Sequence, residues 1–99
     1  MKQLTVIWWR DIPSQVIAKS GRANAKRMLA ERFQEAIDSA AMRAGAGTTD
    51  DYLADWRRDG EPLPDGDLQA IVDARVEELE AALDEATLKA ITKNSGYKA

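Results

Sequence analysis

The chain has no cysteine and no histidine among its 99 residues. Without cysteine it cannot form a disulfide, offer a thiolate nucleophile or ligate zinc through sulfur. Without histidine it lacks the usual general base and the commonest metal ligand, so a Ser-His-Asp or Cys-His site cannot be assembled from this chain alone. We therefore expect no catalytic residues, no metal, no cofactor and no enzymatic activity. An active site of carboxylates alone, or one completed by another chain, is the alternative.

Long apolar runs are also missing. No segment approaches the ~20 apolar residues of a membrane span, and residues 1–10 contain only a short apolar run, unlike a secretory signal. The sequence thus predicts neither membrane insertion nor export, and the lack of cysteine favours the reducing cytoplasm. The composition, 44% hydrophobic and 31% charged, is typical of a globular protein. Residues 1–99 fit a single domain.

The net charge of -3 conceals an uneven distribution. Residues 1–46 hold eight basic and four acidic side chains, whereas residues 47–99 hold six basic and thirteen acidic ones. Two oppositely charged halves can pack against each other or present two faces to two partners. The simpler interpretation is a solvated surface of uneven charge.

The N-terminal segment is rich in β-branched and aromatic residues and predicts a β-hairpin over about residues 3–19. The alternation places Trp8 and Trp9 on opposite faces of the first strand, so we expect one of them in the core. Pro13 supplies a fixed φ for the turn between the two strands. A hairpin is marginal alone and needs helices, or another chain, on its faces.

Helices are predicted over about residues 24–44, 48–58 and 67–93. Asn24 and Thr48 are suitable N-caps for the first two. The first helix carries a core-facing stripe of Ala25, Leu29, Phe33, Ile37 and Ala40 or Ala41. The third carries an apolar seam beside an acidic outer face, and the seam consists of Val72, Val76, Leu79, Leu83, Ala86 and Ala90. That seam either completes the core of the chain or pairs with a partner helix. The predicted fold class is α+β, with the N-terminal hairpin packed against two to three helices and a long C-terminal helix.

Aromatic and basic residues near the first strand form the main candidate site for a partner or an anion. Its members are Trp8, Trp9, Arg10, Arg22, Lys26 and Arg27. Lys26 and Arg27 would lie in the first turn of the helix over 24–44, where a helix N-terminus suits a phosphate or carboxylate, and a tryptophan could stack on a base or cation. The alternative is a core tryptophan with solvated cations, or cations paired with Asp11 and Glu31.

A second candidate is the pair Trp56 and Arg57, which would make a good interface hot spot if partly exposed. The opposing interpretation is that the aromatic residue anchors the core. Nucleic acid is not expected as a partner, because the chain is acidic overall and no glycine-rich nucleic-acid motif accompanies the aromatic residues.

The hairpin and the segments after it carry a broad residue pattern. It comprises Leu4-Thr5-Val6-Ile7-Trp8-Trp9-Arg10-Asp11-Ile12-Pro13-Ser14-Gln15-Val16, then Arg22, Ala25-Lys26-Arg27, Glu31-Arg32-Phe33, Ala36-Ile37-Asp38, Ala40-Ala41-Met42-Arg43 and Tyr52-Leu53-Ala54-Asp55-Trp56-Arg57-Arg58. This pattern resembles the bacterial virulence factor domain family, whose members also occur within conserved virulence factor C proteins. The resemblance covers about residues 3–60.

The resemblance implies a small accessory protein and supplies no catalytic residues. We therefore expect a non-enzymatic accessory or protein-interaction domain whose partner is another protein or a second copy of the chain. As an alternative, the resemblance implies a helper that binds an anion or cofactor in corrinoid- and folate-dependent methyl transfer. Because no histidine is available to ligate a corrinoid cobalt, such a role would be an assisting one.

Overall fold

The computed structural model describes residues 2–45 and 54–97. In chain order the elements are β1 (Lys2–Trp9), β2 (Ile12–Ser20), β3 (Ala23–Met28), α1 (Glu31–Arg43), β4 (Trp56–Glu61), α2 (Leu68–Ala82) and α3 (Glu85–Lys93). The predicted α+β class is confirmed. Within the described part of the chain, no helix combines the length and the apolar character needed to cross a bilayer.

The four strands form one antiparallel sheet in the order β3-β2-β1-β4. The predicted hairpin of β1 and β2 is confirmed, and one further strand pairs with each of its outer sides. Two-residue turns join β1 to β2 and β2 to β3; the second begins with Gly21 at φ 61, the backbone that a type II′ turn requires. The β1–β2 register shifts after Ile7, so Trp8 lies opposite Pro13 and Ser14 is an extra, bulged residue of β2.

One face of the sheet packs against the helices and forms the hydrophobic core. Strand alternation directs Leu4, Val6 and Val16 to this face, where all three are buried. The predicted core stripe of α1 is largely confirmed, since Phe33, Ile37 and Ala40 are buried. Helices α2 and α3 add five buried residues to this core, namely Val72, Val76, Leu79, Leu88 and Ile91.

The predicted start of the first helix is wrong. Residues 23–28 form β3, and α1 begins only at Glu31. Asn24 therefore does not cap a helix; it lies in β3 opposite Lys19. The physical reason is that the Gly21 turn folds this segment back along β2, and the resulting backbone hydrogen bonds outweigh the helix preference of its Ala, Lys, Arg and Met residues.

The second predicted helix is also corrected. Residues 48–53, including Thr48, lie outside the described residues, but Trp56 and Arg57 belong to β4. They pair with Trp9 and Trp8 of β1 respectively. Because β1 would otherwise have an unpaired edge, its backbone groups draw this polar segment into the sheet.

The long helix predicted over 67–93 is interrupted. The last residue of α2 is Ala82, Leu83 leaves the helical region (φ -115, ψ 71), and Asp84 starts α3 by accepting a hydrogen bond from the Thr87 backbone N–H at 2.8 Å. Of the predicted seam, Ala86 and Ala90 are exposed. The break reorients the chain so that the larger Leu88 and Ile91 enter the core instead.

Candidate functional site

Arg10 is a structural clamp at the turn between β1 and β2. Its Nε and Nη2 donate to Asp55 Oδ2 at 3.1 and 3.0 Å, and its Nη1 donates to the carbonyl oxygen of Ser95 at 2.6 Å. The guanidinium carbon lies 4.7 Å from the ring centroids of both Trp9 and Tyr97. Only 14% of the side chain is exposed. The hydrogen bonds of Arg10 therefore tie the turn to the residue before β4 and to the C-terminal segment.

The two tryptophans of β1 have different environments. Trp9 is the core residue and is fully buried, which confirms that one of the pair lies in the core. Trp8 is partly buried and packs against the core. The guanidinium carbon of Arg57 lies over the Trp8 ring, 5.3 Å from the ring centroid. The Nε1 atom of Trp8 is buried with no acceptor among the described residues. Trp56 is half-buried opposite Trp9 and also packs against the core.

Arg57 is exposed but engaged within the chain. It forms ion pairs with Asp59 at 3.4 Å and Asp11 at 3.8 Å, and its Nη1 donates to the carbonyl oxygen of Arg10. Each of these contacts is open to solvent, and exposed pairs of this kind contribute little, about 0–1 kcal/mol. Arg57 can therefore exchange its present carboxylate partners for those of a ligand at small cost.

The predicted basic cluster is divided by the fold. Lys26 and Arg27 lie in β3, so the prediction that they occupy the first turn of a helix is wrong. Arg22 lies in the turn before β3. Across four strands, β3 and β4 are separated by about 14 Å, and Arg57 therefore stands on the opposite sheet edge from Arg27. Arg27 also faces α2, where it pairs with Asp73 at 3.3 Å.

The sheet surface facing away from the helices is a feature that the sequence did not predict. Strand register assigns to it Thr5, Ile7, Gln15, Ile17, Lys19, Lys26, Met28 and Arg58, a set that we call the open sheet face. Its three charged members are all cations, and all three are exposed. Among the residues that the structure describes, none of the three has an ion-pair partner. Reading residues 23–28 and 56–61 as strands would have revealed this pattern.

A cavity of about 500 Å³ lies at the β4 side of the open sheet face. Its lining includes Ser14, Gln15, Trp56 and Arg58. The side chains offer a hydroxyl, an amide, an indole ring and the guanidinium of Arg58, which forms no ion pair with any described residue. This donor set suits a carboxylate or phosphate, since guanidinium groups bind both in bidentate fashion.

The ion pair that joins β4 to α2 lies on the opposite side of the sheet and is structural. Arg75 donates from Nε and Nη2 to the two carboxylate oxygens of Glu61 at 2.9 and 2.8 Å. The hydrogen bonds to Glu61 raise the pKa of Arg75, although its burial acts in the other direction. Arg75 therefore stays charged at any working pH. No group of three or more metal-ligating side chains converges within residues 2–45 and 54–97.

Comparison with known proteins gives a family. Neither the curated proteins nor the solved structures contain a match to this chain. A family model described as virulence factor matches residues 7–92, which extends the resemblance of the N-terminal half through α2 and most of α3. The chain therefore belongs to the virulence factor family.

Proposed function

We propose that this chain is a non-catalytic accessory domain of the cytoplasm that binds an acidic surface of another protein through the open sheet face. The observation that carries the proposal is the charge of that face. Lys19, Lys26 and Arg58 are exposed there, with no carboxylate among the face residues and no ion pair among the described ones.

Charge and apolar surface act together at such a face. Three cations on a chain of net charge -3 create a local positive field that orients an approaching acidic partner and accelerates its association. Ile17 is partly exposed, and 59% of Met28 is exposed. Burial of these side chains would supply the apolar contribution that a stable interface requires.

The proposal is tested by quantitative capture of partners from lysate of the source cells. The test variant Lys26→Glu/Arg58→Glu reverses two charges of the open sheet face. The matched control Lys89→Glu/Lys93→Glu changes the net charge equally on α3. We expect the same protein to be captured by wild type and control, to be lost with the test variant and to be released by salt. Equal capture by all three chains would contradict the proposal.

A second function, binding of a small anion as a helper protein, is favoured by the 500 Å³ cavity beside Arg58. Its indole ring and cation would accept a flat, carboxylate-bearing molecule such as folate, in agreement with the alternative that the family resemblance implies. Calorimetric titration with folate and with polyphosphate should show binding to wild type and to Arg22→Glu, whose change lies in the distant turn. Arg58→Glu should bind neither. Absence of binding to wild type would rule this function out.

A further inference from the structure

A cavity lies on the helical side of the sheet, between α2 and the loop that precedes it. Its volume is about 790 Å³, within the range of small-molecule sites. We propose that this cavity, which we call the α2 groove, binds a small organic cation with an apolar body. The site is separate from the open sheet face and does not depend on the function proposed above.

The apolar floor of the groove results from small residues on α2. Ala70 and Ala74 are one helical turn apart on the same helix face, and their methyl groups leave space where longer side chains would fill it. Leu4 of β1 and Ile71 of α2 complete the floor. An alkyl chain or ring placed there would lose apolar surface to water, at roughly 25 cal/mol per Å².

Two prolines restrict the backbone of the loop wall of the groove. Pro62 and Pro64 both line it, and each fixes its own φ near -65°. Asp67 ends the loop by accepting a hydrogen bond from the Ala70 backbone N–H at 3.0 Å, which anchors the start of α2. Restricting the backbone of the wall before binding lowers the entropic cost of binding.

The charge around the groove selects a cation. Four of its lining side chains are carboxylates, and one is a guanidinium. Arg75 hydrogen-bonds twice to Glu61 and also pairs with Glu78 at 4.0 Å. Its single positive charge is therefore shared by two carboxylates, and the four carboxylates together leave the groove with a net negative field. An anionic ligand is disfavoured there. A bare metal ion is disfavoured as well, because the carboxylates of the described residues do not converge as a metal-binding group.

The test uses three probes of defined chemistry, followed by amide chemical shifts of the intact chain. Decyltrimethylammonium has the cation and the tail, decanoate has the tail with a negative charge, and tetramethylammonium has the cation alone; all are used below micelle formation. We expect saturable binding of decyltrimethylammonium with shifts around Ile71, and at least tenfold weaker binding of the other two. Equal binding of decanoate, or no saturable binding of decyltrimethylammonium, would overturn the proposal.

Two substitutions of exposed α2 residues locate the site. Ala74→Phe fills the groove, whereas Ala81→Phe places the same side chain elsewhere on the same helix. We expect Ala74→Phe to weaken binding of decyltrimethylammonium at least tenfold and Ala81→Phe to leave it unchanged, with both variants folded by circular dichroism. Glu78→Gln should weaken it several-fold. Unchanged binding by Ala74→Phe would place the ligand elsewhere and refute the assignment.

Discussion

Replacement of Arg10 separates the two energetic effects that meet at the first turn. Arg10 has φ 54, a left-handed backbone conformation that costs a side-chain-bearing residue about 1 kcal/mol. The contacts of its side chain with Asp55, Ser95 and the two aromatic rings offset the energy of this strain. Arg10→Ala removes the side-chain contacts and keeps the strain, whereas Arg10→Gly removes both.

The magnitude follows from these contacts. Asp55 is about one-third exposed, so solvent screening limits the ion pair to about 1 kcal/mol. The hydrogen bond to Ser95 adds about 1 kcal/mol, and the two cation–π contacts add about 0.5 kcal/mol each. We therefore expect Arg10→Ala to lower the free energy of unfolding by about 3 kcal/mol. Arg10→Gly should lower it by only about 2 kcal/mol, because glycine tolerates the positive φ.

Urea unfolding followed by tryptophan fluorescence measures both values, with an unchanged urea m-value as the check that only stability has changed. Addition of Asp55→Ala to Arg10→Ala should cost about 1 kcal/mol less than the same change in wild type, since the ion pair is already broken. The reasoning is refuted if Arg10→Gly is less stable than Arg10→Ala, or if Arg10→Ala unfolds within about 0.5 kcal/mol of wild type.

Two further predictions concern the C-terminal segment and α3. Gly96 has φ 93, and a Cβ built on it would lie 2.9 Å from Cζ3 of Trp9. Gly21→Ala would meet backbone strain but no nearby atom. We therefore expect Gly96→Ala to lower the melting temperature more than Gly21→Ala does. Equal melting temperatures would contradict this packing. At the start of α3, hydrogen bonds from Thr87 lower the pKa of Asp84, so the carboxylate stabilises the fold above its unfolded pKa near 4 and this contribution is lost as pH falls further. Asp84→Asn should flatten the loss of helical circular dichroism in that acidic range, and an unaltered pH profile would count against the cap.

The predictable parts of the fold were those in which local pattern and tertiary packing agree. Alternation of apolar residues identified the β1–β2 hairpin, and the helical spacing of Phe33, Ile37 and Ala40 identified the buried face of α1. The break between α2 and α3 also had a local signal, because Asp84 followed by Thr87 three residues later is typical of a helix start. A continuous apolar seam concealed it.

The two edge strands could not be predicted in this way. Residues 23–28 and 56–61 lack apolar alternation, and their strand conformation comes from pairing with β2 and β1. The partner of β4 is distant in the chain, and the partner of β3 is the strand just before it. The candidate site depended on that assignment. Lys26 was predicted at a helix terminus and lies on the open sheet face instead. Arg58 becomes a candidate site residue only because β4 pairs it with Ile7 of that face.

The central claim is that the open sheet face recognises acidic protein surface. Its most direct test is a titration of the isotope-labelled chain with a hexaglutamate peptide at low salt, followed by amide chemical shifts. We predict that the shifts concentrate around Ile17, Lys26 and Arg58, and that they disappear in Lys26→Glu/Arg58→Glu while the spectrum of that variant stays folded. Shifts confined to the Arg10 turn, or no saturable shifts at any residue, would contradict the account.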